Sequence, residues 1–108
     1  MANARLNTNP ITDWESFHEI CRDEMGFPCF YGMNMNAWID CMSYLDEDVG
    51  MTRFCMAENE MLHIEISDTE GFKSRLPEIF DALVECVAFV NQRYIDAEKS
   101  PPISLVFL

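Results

Sequence analysis

The sequence predicts a two-layer α/β fold, a small parallel sheet with helices covering one face. Segments of strand character at 61–66 and 103–108 are separated by segments of helical periodicity. Strands joined through helices favour parallel pairing with right-handed crossovers. The chain has 108 residues, 49% hydrophobic and 24% charged, which suits one domain (1–108) with its own core.

Residues 1–10 are polar apart from the short Arg5-Leu6-Asn7 segment and read as an edge strand or a flexible tail. Thr12 or Asp13 can cap a helix reaching about Met25. Its apolar positions Trp14, Phe17, Ile20 or Cys21, and Met25 recur at helical spacing, and Gly26 ends it. Phe27 to Gly32 is a loop, because Pro28 biases its predecessor away from helix and Gly32 admits positive φ. A second helix follows from Asn34, a good N-cap, to about Leu45.

At about 100° per residue, Met35, Trp38, Met42 and Leu45 share a core face of that second helix. Asn36, Asp40, Ser43 and Glu47 share a polar face, with Ile39 between the two. Residues 46–60 are acidic and irregular. Met61 to Ile66 alternates as a strand, with His63 and Glu65 on one face. Ser67 or Asp68 caps a short helix through Phe72. Pro77 suits the first turn of a long helix to about Asp96. Ile79, Phe80, Leu83, Cys86, Val87, Val90 and Tyr94 form its apolar stripe, and Glu78, Asp81, Glu85 and Gln92 its wet face. A turn at 99–102 leads into Ile103 to Leu108, which reads as a buried terminal strand.

With 19 acids against 7 bases, the formal charge is -12. Such a field repels nucleic acid and anionic membrane and steers basic protein partners inward. Neither nucleic acid nor membrane is therefore an expected partner. No apolar run approaches the ~18–20 residues of a membrane span. The N-terminus lacks an apolar signal-type segment, so the cytoplasm is the expected compartment. The five cysteines, odd in number and without a Cys-x-x-Cys pair, do not read as a disulfide framework or zinc ribbon. His18 and Cys21 have a spacing that could seat two metal ligands on one helix face. No second pair joins them, so no metal or other cofactor is expected. The sequence lacks Gly-x-Gly-x-x-Gly, a P-loop, Gly-x-Ser-x-Gly and His-Glu-x-x-His, and no cysteine has a marked base beside it. A non-enzymatic role is the expectation.

The most unusual stretch runs from Phe27 to Met42, an aromatic-rich loop leading into a capped helix whose exposed face carries an acid. An acid on a polar helix face is ordinarily only solvated. Here, however, Phe27-Pro28, the pair Phe30-Tyr31, Gly32 with Asn34, and Ala37 with Asp40-Cys41 form a pattern. This pattern resembles the barstar family, intracellular inhibitors of barnase-type ribonucleases. The order of elements extends the likeness from about Ile11 to Leu108. The resemblance implies a three-stranded parallel sheet packed with about four helices. It also implies an inhibitor or immunity protein, monomeric when free, whose second helix and preceding loop plug a basic ribonuclease site. Asp40 would then stand in for an RNA phosphate, accepting hydrogen bonds from Arg and His.

The implied contact set is Phe30, Tyr31, Asn34, Asn36, Ile39, Asp40, Ser43 and Asn91. Several positions depart from the family pattern. Asn36 stands where the family carries a second acid, and Ile39 where it carries an exposed Trp. Trp38 falls at the neighbouring core position. Asn91 aligns loosely with a contacting Glu of the long helix. The 46–60 segment is longer than the family pattern and could reshape the interface. These losses of acid keep open a second reading, the same fold used as an interaction module for a non-nuclease partner.

Overall fold

A computed structural model describes residues 2–108. The elements are β1 (Ala2–Leu6), α1 (Trp14–Met25), α2 (Met35–Met42), β2 (Leu62–Ile66), α3 (Thr69–Arg75), α4 (Pro77–Asp96) and β3 (Ile103–Phe107). The three strands form one parallel sheet in the order β1-β2-β3. Pairing is in register, Leu62 lying beside Ala2 and Ile103, and Ile66 beside Leu6 and Phe107. The α/β architecture, the parallel three-stranded sheet and the four helices agree with the sequence reading.

The alternation of β2 decides which face of the sheet is the core face. Leu62, Ile64 and Ile66 are wholly buried, while His63 and Glu65 are only partly covered. Ala4 and Leu6 of β1 and Ile103 of β3 continue the buried face. α1 packs on β1, α4 on β3, and α2 and α3 pack on α4. Phe17, Cys21 and Met25 of α1 join Trp38, Met42 and Leu45 and the α4 stripe Leu83, Val87 and Val90 in one core.

The cap of α1 follows side-chain chemistry, whereas Asp68 opens α3 at φ 41° without the side-chain cap bond the sequence suggests. Asp13 accepts from the Ser16 N–H at 2.9 Å, and Ser16 Oγ accepts from the Asp13 N–H at 3.1 Å, a reciprocal box at the start of α1. Gly26 ends α1 at φ 69°, its N–H donating to the Arg22 carbonyl. Arg53 packs on that glycine and donates from Nε to the Glu24 carbonyl at 2.6 Å. Residues 46–60 are therefore anchored despite their irregular path, and Phe54 and Met56 belong to the core.

Four sequence expectations change. β3 is an edge strand with Leu105 and Val106 half-buried and Phe107 exposed, because β2 occupies the centre. α3 continues past Phe72 to Arg75, whose guanidinium donates to the carbonyls of Ile11 and Thr8 at 3.0 and 3.1 Å. Trp14 is 39% exposed, stacked on His18 at the rim of the core rather than within it. Cys86 is only half-buried.

A Cβ at Gly26 would sit 2.7 Å from the Arg53 Cβ, in a left-handed conformation that L side chains resist. Gly26→Ala is expected to lower stability by about 1–2 kcal/mol. The readout is a lower urea midpoint with an unchanged slope.

Candidate protein-interaction site

The second helix is built so that one stripe must face outward. Asn34 caps it: Oδ1 accepts from the Ala37 N–H at 2.8 Å, and Nδ2 donates to the Gly32 carbonyl at 3.2 Å. Trp38, Cys41 and Met42 are buried on the inner side. Positions 36, 39, 40 and 43 then fall on the other side within a helical rise of about 10 Å. Asn36 and Asp40 are exposed, and Ile39 and Ser43 are half-buried. The helix ends at Met42, three residues before the expected limit. The Ser43 N–H donates to the carbonyls of Ile39 and Asp40 at 3.0 and 3.3 Å, tightening the last turn.

The loop before α2 is held from inside. Phe27 and Tyr31 are buried with ring centroids 4.7 Å apart, and the Tyr31 N–H donates to the Pro28 carbonyl at 2.9 Å. Between these anchors Phe30 projects outward, 72% exposed. Met33 takes φ 55° to turn the chain into the helix, an uncommon conformation for a side-chain-bearing residue. The Tyr31 hydroxyl lies 2.6 Å from His18 Nδ1, a buried bond that ties the loop to α1. Burial holds the His18 pKa below its ordinary value, so the ring is neutral at pH 7.

Two of the sequence-derived contact residues serve the scaffold. Tyr31 was expected at the partner surface, but its ring is buried and its hydroxyl is engaged by His18. Asn91 was expected to meet a partner from α4. Instead its Nδ2 donates to the Ile103 carbonyl and its Oδ1 accepts from the Ile103 N–H, both at 3.0 Å. The amide thus mimics a neighbouring strand and closes part of the β3 edge, which explains why an Asn suits this position. Asn34, though exposed, spends both polar ends on its cap. The residues left with outward functional groups are Phe30, Asn36, Ile39 and Asp40, flanked by Ser43.

Sequence reasoning missed two neighbours on α4. Phe89 is 50% exposed, and the Arg93 guanidinium carbon stands 4.9 Å above its ring centroid. Arg93 Nη1 also donates to Ser43 Oγ at 3.2 Å, which joins this pair to the end of the α2 stripe. The available signal was an aromatic inside the wet stripe between Glu85 and Gln92, with an Arg four residues later.

Burial keeps the enclosed thiols protonated at neutral pH. Burial pushes Cys21 up to about 12. Burial, reinforced by the Asp40 charge, pushes Cys41 up to about 11. The site can offer a carboxylate, an aromatic and a short apolar strip to another surface. Among the described residues, no helix is long and apolar enough to cross a membrane.

A family model described as Barstar (barnase inhibitor) matches residues 1–107. A comparison with curated proteins finds no match.

Asn91→Ala leaves the Ile103 N–H and carbonyl without their partner and is expected to cost about 1–3 kcal/mol in urea unfolding. Binding by the folded fraction should be unchanged, which separates the scaffold role from a contact role. For His18 the folded pKa lies below the ordinary 6.5. The unfolded chain therefore binds the proton more readily, and stability is complete above about 6.5 and declines as pH falls toward the folded pKa. Thermal midpoints between pH 7.5 and 5 should show this slope in the wild-type chain and a flatter one in His18→Gln.

Proposed function

The chain belongs to the barstar family of barnase inhibitors, and we propose that it blocks its ribonuclease with the outward stripe of α2 and the loop before it. Inhibition of a barnase-type ribonuclease is the function that family membership supports, and the family's members are non-catalytic inhibitors. The specific reading here is that Asp40 occupies the place of an RNA phosphate. The observation that carries it is the phase of α2. The buried Trp38 and Met42 turn Asp40 outward, and the loop that leads into the same helix exposes Phe30.

A ribonuclease of this type binds RNA phosphates with Arg, Lys and His. A carboxylate aimed into that cluster accepts the same charge-assisted hydrogen bonds without offering a bond to cleave. The eight residues of α2 are already ordered, so little conformational freedom is lost on docking. Phe30 adds a rigid aromatic anchor from the preceding loop, and Ile39 and Asn36 extend the contact along the helix. The net charge of -12 accelerates encounter with a basic enzyme, and more so at low salt. The setting we propose is a monomeric, single-domain inhibitor in the cytoplasm.

A non-nuclease partner for the same surface is the competing reading, favoured by Asn36 in place of an acid. Titration into a barnase activity assay separates the two. Stoichiometric loss of activity is expected for the wild-type chain, and no inhibition at micromolar protein would exclude barnase as a target. Asp40→Ala should weaken inhibition by roughly 30- to 5,000-fold, the equivalent of about 2–5 kcal/mol, a range measured within this class of complex. Its thermal midpoint should stay at the wild-type value because Asp40 is exposed. Phe30→Ala should cost about tenfold in affinity, also without loss of stability.

A further inference from the structure

Arg93 is out of place in an inhibitor that recognises only positive charge. The chain has seven Lys and Arg residues. Arg22, Arg53 and Lys99 face carboxylates at 3.5, 3.3 and 2.9 Å. Arg75 is spent on two backbone carbonyls. Arg93, like Arg5 and Lys73, makes no ion pair among the described residues. It is nevertheless held in place, over the face of Phe89 and on the Ser43 hydroxyl. Ser43 in turn donates to the Ile39 carbonyl at 2.6 Å, one turn back along the α2 stripe.

The guanidinium is therefore a positioned, exposed cation bonded to Ser43, three residues along the chain from Asp40, on a protein whose mean field is strongly negative. A wholly basic partner surface would meet repulsion there, since like charges brought together across an interface cost binding energy. An unpaired, pre-oriented guanidinium fits a carboxylate through two parallel N–H donors. The exposed Phe89 ring beneath it offers an apolar seat for the stem of the same side chain.

We infer that Arg93 and Phe89 form a specificity element, selecting a ribonuclease that carries an Asp or Glu on its rim beside the basic cleft. This rests on the α2 reading above, which places the ribonuclease against Asp40. The bound enzyme would receive an anion at its centre and a cation at the α4 side. Repulsion at the second point discriminates against enzymes with an uninterrupted basic rim.

Barnase serves as the probe, with binding kinetics measured for the full chain and three variants, Arg93→Glu, Asp40→Ala and Lys73→Glu. Lys73 is an exposed cation of α3 that stands over Phe80, itself about 20 Å along α4 from Arg93, so its reversal reports the mean field alone. Arg93→Glu is expected to bind barnase about tenfold more tightly than the wild-type chain, mainly through the on-rate, and Lys73→Glu much less so. A purely structural role for Arg93 could not produce that gain. In a second arm, basic rim residues of barnase are replaced one at a time by Glu. One replacement should tighten binding of the wild-type chain and not of Arg93→Glu.

If Asp40→Ala weakens binding while Arg93→Glu gains nothing over Lys73→Glu, the inhibitor reading stands and the specificity element is refuted. If no rim replacement favours the wild-type chain, the carboxylate partner is refuted. If binding is indifferent to Asp40, or if no form binds, the α2 reading falls and this inference with it.

Discussion

The rotational setting of α2 is fixed by one side chain. Trp38 is wholly buried, the largest of the fully enclosed residues, and it sits in the middle of a helix of eight residues. Turning the helix by one residue would bring the indole to water and push Ile39 or Ala37 into a space shaped for a bicyclic ring. Close packing forbids the exchange, since interiors tolerate neither voids nor overfilling. Among the described residues the indole N–H has no hydrogen-bond partner. An imperfectly satisfied donor is the local cost of this packing, and the buried ring area offsets it.

The loop before α2 obeys the same logic by different means. A segment of six residues containing Pro and Gly has little propensity for one conformation, and here two buried aromatics and one buried hydrogen bond select it. Phe30 can be exposed and still well placed because its neighbours Phe27 and Tyr31 are not. The outward face of the molecule is a by-product of inward contacts made by residues one to three positions away in sequence.

How far the sequence revealed this differs from residue to residue. Asn34, Gly26, Pro77 and the alternation of β2 announce themselves, because caps, helix starts and strand periodicity are local physics. The wet stripe of α2 was readable for the same reason. Tyr31 and Asn91 read as contact residues because each is polar and near the interface pattern, whereas their side chains are bonded within the scaffold. Their roles depend on partners thirteen and twelve residues away, His18 and Ile103. Arg93 escaped notice because its meaning lies in what it lacks, a carboxylate, and pairing between helices cannot be counted before they are packed. The terminal strand looked buried because an apolar run does not say whether a strand is central or at an edge.

The division of α2 into an inward and an outward stripe also bears on how such a protein can change over generations. Asn36 and Asp40 are exposed and touch the scaffold lightly, so replacing them need not pass through a misfolded intermediate. An inhibitor built this way can follow an altering enzyme one surface residue at a time while its fold stays intact. Two inhibitors sharing the same interior can then differ in the ribonuclease each one fits.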